Sequence, residues 1–149
     1  PIAEATVARL AKNPVIMAVK EAAGSVDRVS AILDLCDITV LSGDDSLTLP
    51  MMSVGAKGII SVSSNLIPGE MSAMVRAALE GDFAKAYAYH RKYYPFFRDQ
   101  FVETNPIPIK AAMAMAGLMA EEYRLPLCEL SPEHREKFAA TLKRCGILG

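Results

Sequence analysis

Three short apolar runs constrain this chain most. Val15–Val19, Ile38–Leu41 and Ile59–Ser63 recur about twenty residues apart, and each is rich in β-branched residues. Runs of this length without polar alternation suit strands buried on both faces, the habit of parallel sheets. Helical patterns fill the intervals. Ser25 is placed to cap a helix on which Val29, Ile32, Leu33 and Leu35 recur, and Asp45 or Ser46 starts a second over Leu47–Val54, with Pro50 in its first turn. A strand–helix–strand–helix–strand series predicts a βα array with a parallel sheet. Three parallel strands leave two open edges and cannot close on themselves.

The flanks are helical. Ala3–Lys12 reads as a short amphipathic helix with Thr6, Val7 and Leu10 on one face, stopped by Asn13-Pro14. After Pro68 the strand signals cease. Glu70–Leu79 and Phe83–Arg98 are helical, with Pro95 expected to kink or break the second. Pro106–Leu118 follows, then an extended linker at Leu125-Pro126-Leu127. Ser131-Pro132 is a strong helix start, and that last helix runs to Arg144 and closes at Gly146. A change of architecture is therefore expected between residues 1–67 and 68–149.

Composition narrows the function classes. Sixteen Lys plus Arg stand against seventeen Asp plus Glu, so no basic excess serves a phosphate backbone. Mean hydropathy is +0.22, which calls for extensive apolar burial inside the fold or against another chain. No apolar run approaches the ~20 residues that span a bilayer. The sequence starts at Pro1 without a signal-peptide pattern, so a cytoplasmic location is expected. Cys36, Cys128 and Cys145 lie far apart, His90 and His134 sit in charged helical stretches, and no CxxC pair occurs. That spacing argues against a zinc site and for three buried or half-buried thiols.

Lys20 is the residue most able to do chemistry. It follows five apolar residues at the carboxyl end of the first strand, where parallel α/β folds carry their ligands. Apolar walls around it would disfavour the ammonium and leave a free amine to attack a carbonyl. An ordinary lysine reaching solvent beside Glu21 is the plainer alternative. The Ser42-Gly43-Asp44-Asp45 turn occupies the same end of the second strand. Gly43 would admit a ligand close to the backbone, and the two aspartates suit helix caps. Ile60 and Ser61 could offer backbone groups from the third strand.

These pieces resemble a known family. Ala18-Val19-Lys20-Glu21-Ala22 with Gly24, Leu41-Ser42-Gly43-Asp44-Asp45, Gly58-Ile59-Ile60-Ser61-Val62 with Asn65, Phe101-Val102-Glu103, Asn105-Pro106-Ile107-Pro108-Ile109-Lys110 and Leu125-Pro126-Leu127 carry the likeness. Together they resemble the carboxyl-terminal half of the dihydrodipicolinate synthase family, within the pyruvate-dependent class I aldolases. Thr104 departs from the proline often found there. The resemblance implies an α/β fold: the last three strands of a (β/α)8 TIM barrel, followed by an all-helical region. It implies that Lys20 forms an imine with pyruvate, that Gly43 lines the pocket near the second substrate, and that the Ile60 carbonyl lies near the pyruvate-derived carbons. The implied reaction condenses pyruvate with aspartate 4-semialdehyde on the way to diaminopimelate and lysine, with no metal or organic cofactor. A related lyase of the N-acetylneuraminate or 2-keto-3-deoxy acid type, or an inactive fragment with a structural role, are the alternatives.

The family's proton-shuttling tyrosine, the threonine beside it, the carboxylate-anchoring arginine and a Gly-Thr-Thr-Gly-Glu-like turn belong to the first five strands. None of those motifs occurs here, and Tyr87, Tyr89, Tyr93, Tyr94 and Tyr123 lie in the helical region after Pro68. The length of 149 residues is about half of what a barrel needs, where ~250 is typical. The expected partner is therefore an amino-terminal half; the resemblance further implies the subunits of a homotetramer, with Val26 and Val54 as exposed candidates for contact. Neither nucleic acid nor membrane is expected.

Overall fold

A computed structural model describes residues 1–149. Its element order is α1 (Glu4–Leu10), β1 (Ala18–Glu21), α2 (Val26–Leu35), β2 (Thr39–Ser42), a 3-10 turn (Asp45–Leu47), α3 (Thr48–Ser53), a second 3-10 turn (Ser63–Asn65), α4 (Pro68–Leu79), α5 (Phe83–Asp99), α6 (Ile107–Met115) and α7 (Pro132–Arg144). The chain divides into two compact units. One comprises 1–61 with 73–87; the other comprises 62–72 with 88–149. No helix is long and apolar enough to cross a membrane.

The first unit is the mixed α/β part. β1 and β2 pair in parallel, with Ala18 opposite Thr39 and Glu21 opposite Ser42. The third run is not a full strand. It joins β2 through one parallel bridge, Ser42 to Ile59, and through Lys57 N–H to Val40 O (2.9 Å), Ser42 N–H to Gly58 O (2.8 Å) and Ile60 N–H to Ser42 O (2.8 Å). It then turns into the 3-10 segment rather than continuing to Ser63, having a ladder on one side only. Val29, Ile32, Val40 and Met51 are fully buried and form the centre of this unit.

Several expectations fail at the margins of this unit. Val15 and Met17 are 82% and 79% exposed, so the first run is not buried on both faces. β1 begins only at Ala18 and has β2 as its single neighbour, which leaves one edge uncovered. Leu10 and Leu35 are exposed, because α1 and α2 each bury only a narrow stripe, around Val7 in one and around Val29 and Ile32 in the other. Val54 is exposed and Val26 only partly so. Ser25 and Ser131 sit at the expected helix starts, yet neither hydroxyl bonds the first turn.

The second unit is helical. Phe96, Phe97, Phe138 and Leu142 are buried at its centre, and the Phe96 and Phe138 rings stack with centroids 6.0 Å apart. α5 runs through Pro95 without a break: the missing N–H removes one bond, and the helix resumes to Asp99. Leu125-Pro126-Leu127 is a turn, not an extended linker, with Leu127 N–H on Arg124 O (3.0 Å). Its Leu125–Pro126 peptide is cis, as is Asn105–Pro106. α7 ends as the sequence implies. Gly146 adopts φ +69° and its N–H reaches Lys143 O, while Ile147 N–H reaches Leu142 O. Cys145 is buried and Cys36 half-buried, but Cys128 is exposed, because it lies on the irregular segment before α7.

Candidate functional site

The parallel register decides which side chains meet. Residues alternate between the two faces of a strand, and opposite residues of an in-register parallel pair share a face. Lys20 lies opposite Leu41, and one step on, Gly43 N–H bonds Glu21 O at 2.7 Å. Lys20, Gly43 and Ile60 therefore point to one side, and Glu21 and Ser42 to the other. The two sides differ in burial: Lys20 and Ile60 are exposed, whereas Glu21 and Ser42 are buried.

Gly43 and Lys20 fit against each other. A Cβ at Gly43 would lie 2.7 Å from Lys20 Cε and 2.5 Å from Ala22 Cβ, both too close for any side chain. The absence of a side chain at 43 lets the Lys20 stem run across the end of β2. The apolar wall expected around Lys20 is not present in this chain. Its side chain is exposed, since the run before it is exposed and β1 has no neighbour on its open edge. A cavity of about 490 Å³ borders it, lined by Ile2, Val7, Val19, Glu21, Ala23 and Arg28 among others.

The turn residues do not act as helix caps. Asp44 precedes the first 3-10 turn without a side-chain cap bond, and α3 starts from Leu47. The Asp44 carboxyl instead accepts the Gly24 N–H, which ties the loop after β1 to the loop after β2. Burial pushes the Asp44 pKa above its ordinary value, helped by the charges of Asp45 and Glu21 and opposed by the Gly24 bond and Lys20. Ser42 Oγ accepts Asp44 N–H (3.1 Å) and donates to Asp44 O (2.9 Å), and Thr48 Oγ1 donates to the same carbonyl (3.0 Å).

Two groups on the buried side escape sequence reasoning. Glu21 accepts Ala23 N–H at 2.8 Å and pairs with Arg28 Nε at 3.3 Å; Arg28 also bonds Glu4 and, at 2.8 Å, Ile2 O. Asp45 is fully buried and accepts the Ser61 hydroxyl. The Asp-Asp pair is visible in the sequence, but a partner sixteen positions later is not. Asn65 bonds only locally, through Nδ2 to Val62 O at 2.9 Å.

The model of the dihydrodipicolinate synthetase family matches residues 1–145. The 4-hydroxy-tetrahydrodipicolinate synthase of Persephonella marina is 48% identical over 147 residues, which is 96% of this chain and 50% of the relative. The solved synthase of Methylacidiphilum fumariolicum superposes with a TM-score of 0.95 at 51% identity, covering 97% of this chain and 49% of that one. A chloride-inhibited synthase from Acinetobacter baumannii, solved in complex with pyruvate, gives a TM-score of 0.95 at 36% identity, covering 99% and 51%. The chain thus spans about half the length of the relatives it matches.

Proposed function

The chain belongs to the dihydrodipicolinate synthetase family, and on that premise we propose that it is the lysine-bearing half of a pyruvate-dependent Schiff-base lyase. Residues 1–67 then supply the last strands and helices of a (β/α)8 barrel, and 68–149 its last helix and the helical region after it. The observation that carries the reading is the exposed Lys20 side chain at the carboxyl end of a parallel strand, lying against the bare backbone of Gly43. A relative solved with pyruvate supports the choice of first substrate.

Lys20 Nζ, as the free amine, attacks the pyruvate ketone, and loss of water leaves an imine. The imine nitrogen withdraws electrons and acidifies the pyruvate methyl group. Proton loss gives an enamine, whose methylene carbon attacks the aldehyde of aspartate 4-semialdehyde. The amino group of that substrate then displaces Lys20 on cyclisation. Gly43 leaves room for the second substrate beside the lysine, and the Ile60 carbonyl faces the pyruvate-derived carbons. Groups that move protons and bind the semialdehyde carboxylate come from the half of the fold that this chain does not span. A cytoplasmic homotetramer is the assembly this reading favours.

A substrate panel on the full-length protein tests it. Consumption of pyruvate with aspartate 4-semialdehyde is expected. Turnover of a sugar-derived 2-keto acid, with none of the semialdehyde, would move the protein to a sister lyase.

A further inference from the structure

Ile60 is held on both sides. Its N–H donates to Ser42 O at 2.8 Å, and the next residue, Ser61, donates its hydroxyl to the Asp45 carboxylate. The peptide plane between those anchors carries the Ile60 carbonyl. A fully buried carboxyl such as that of Asp45 is costly unless hydrogen bonds compensate it, and its bond from Ser61 also ties two loops together. Here it holds a segment that is not a regular strand. Its last bond to β2 is the Ile60 N–H on Ser42 O, so the Ile60 carbonyl lies just beyond the ladder. The neighbouring hydroxyls, Ser42 and Thr48, are also fully buried and are used on the Asp44 backbone, which settles the turn that presents Asp45.

We propose that Asp45 is a positioning residue: through Ser61 it fixes the peptide that carries the Ile60 carbonyl and so aims that carbonyl at the pyruvate-derived carbons. The inference rests on the reading of Lys20 as the imine-forming residue. Imine formation joins Lys20 Nζ to the pyruvate ketone without using the Ile60 carbonyl, and so does not depend on Asp45. Loss of the methyl proton needs the carbonyl in register with that methyl, and is the step Asp45 serves.

The two steps are separable in the full-length protein. Borohydride trapping with pyruvate reads the imine, and exchange of the pyruvate methyl protons in D2O, followed by proton NMR without aldehyde, reads proton loss. Asp45→Ala should keep trapping near the wild-type level at saturating pyruvate while exchange falls about tenfold to a hundredfold. Asp45→Asn, which keeps an acceptor oxygen for Ser61, should recover most of the exchange. Ser61→Ala should reproduce the loss, and the double Ala variant should be no worse than either single one. Should Asp45→Ala not fold, Ser61→Ala carries the same expectation. Unchanged exchange in a folded Ser61→Ala variant overturns the proposal, and so does a parallel fall of trapping and exchange. Absence of any Lys20 adduct in the wild type overturns the underlying reading instead, and with it this inference.

Discussion

The two units use their charged groups in opposite ways. In the first, the acids at the strand ends are drawn inward: Glu21 and Asp45 are buried and Asp44 half-buried, while Lys20 stays in the open. In the second, acids clip surface segments together. Glu121 takes two bonds from Arg135 (2.6 and 2.7 Å) and one from the Tyr123 hydroxyl (2.9 Å). Glu103 holds Ser131 N–H (3.1 Å) and His134 Nδ1 (2.7 Å) at the start of α7. Burying acids is expensive and serves placement; pairing them at the surface is cheap and serves docking of loops. The contrast separates acids that fix the loops at the strand ends from acids that fasten surface segments.

That division can be broken by substitution in the full-length protein. Lys20→Arg keeps a cation but cannot form the imine, so turnover should fall by roughly 10³-fold or more with the melting temperature unchanged. Phe138→Ala in the helical core should do the reverse. It removes a buried ring stacked on Phe96 and should cost about 3–5 kcal/mol in denaturant unfolding, leaving the kcat of the folded fraction intact. Gly43→Ala lies between. Its Cβ must displace both the Lys20 stem and Ala22, so kcat/KM should drop about a hundredfold at a stability cost of about 1–3 kcal/mol.

Acid gives the smallest expected effect. Hydrogen bonds from Arg135 hold the Glu121 carboxyl below its ordinary 4.5, and the Ser131 and His134 bonds do the same for Glu103. A carboxyl depressed in the folded state contributes stability above its unfolded value, and that contribution fades as pH falls through the folded one. Stability should therefore decline below about pH 4.5. Arg135→Gln should make the acid limb shallower in urea titrations at successive pH values.

Local chemistry made much of this legible. Ser131-Pro132 and Gly146 bracket α7, because a proline start and a left-handed stop act within a few residues. Lys20 and Gly43 could be placed at neighbouring strand ends because period and apolar run length locate strands without knowledge of their partners. What escaped depends on distant partners or on missing ones. The Asp45–Ser61 and Glu103–His134 bonds join residues 16 and 31 positions apart, and no local pattern encodes them. Val15 and Met17 read as core, yet they are exposed, because burial needs a neighbour on the open edge of β1 and hydrophobicity alone does not supply one.

The central claim is that Lys20 is the nucleophile. Its most direct test is borohydride reduction of the full-length protein with pyruvate, followed by peptide mass spectrometry. One reduced pyruvyl group on the peptide containing Lys20, absent in Lys20→Arg, is the predicted result. A group on another lysine, or none at all, would contradict it.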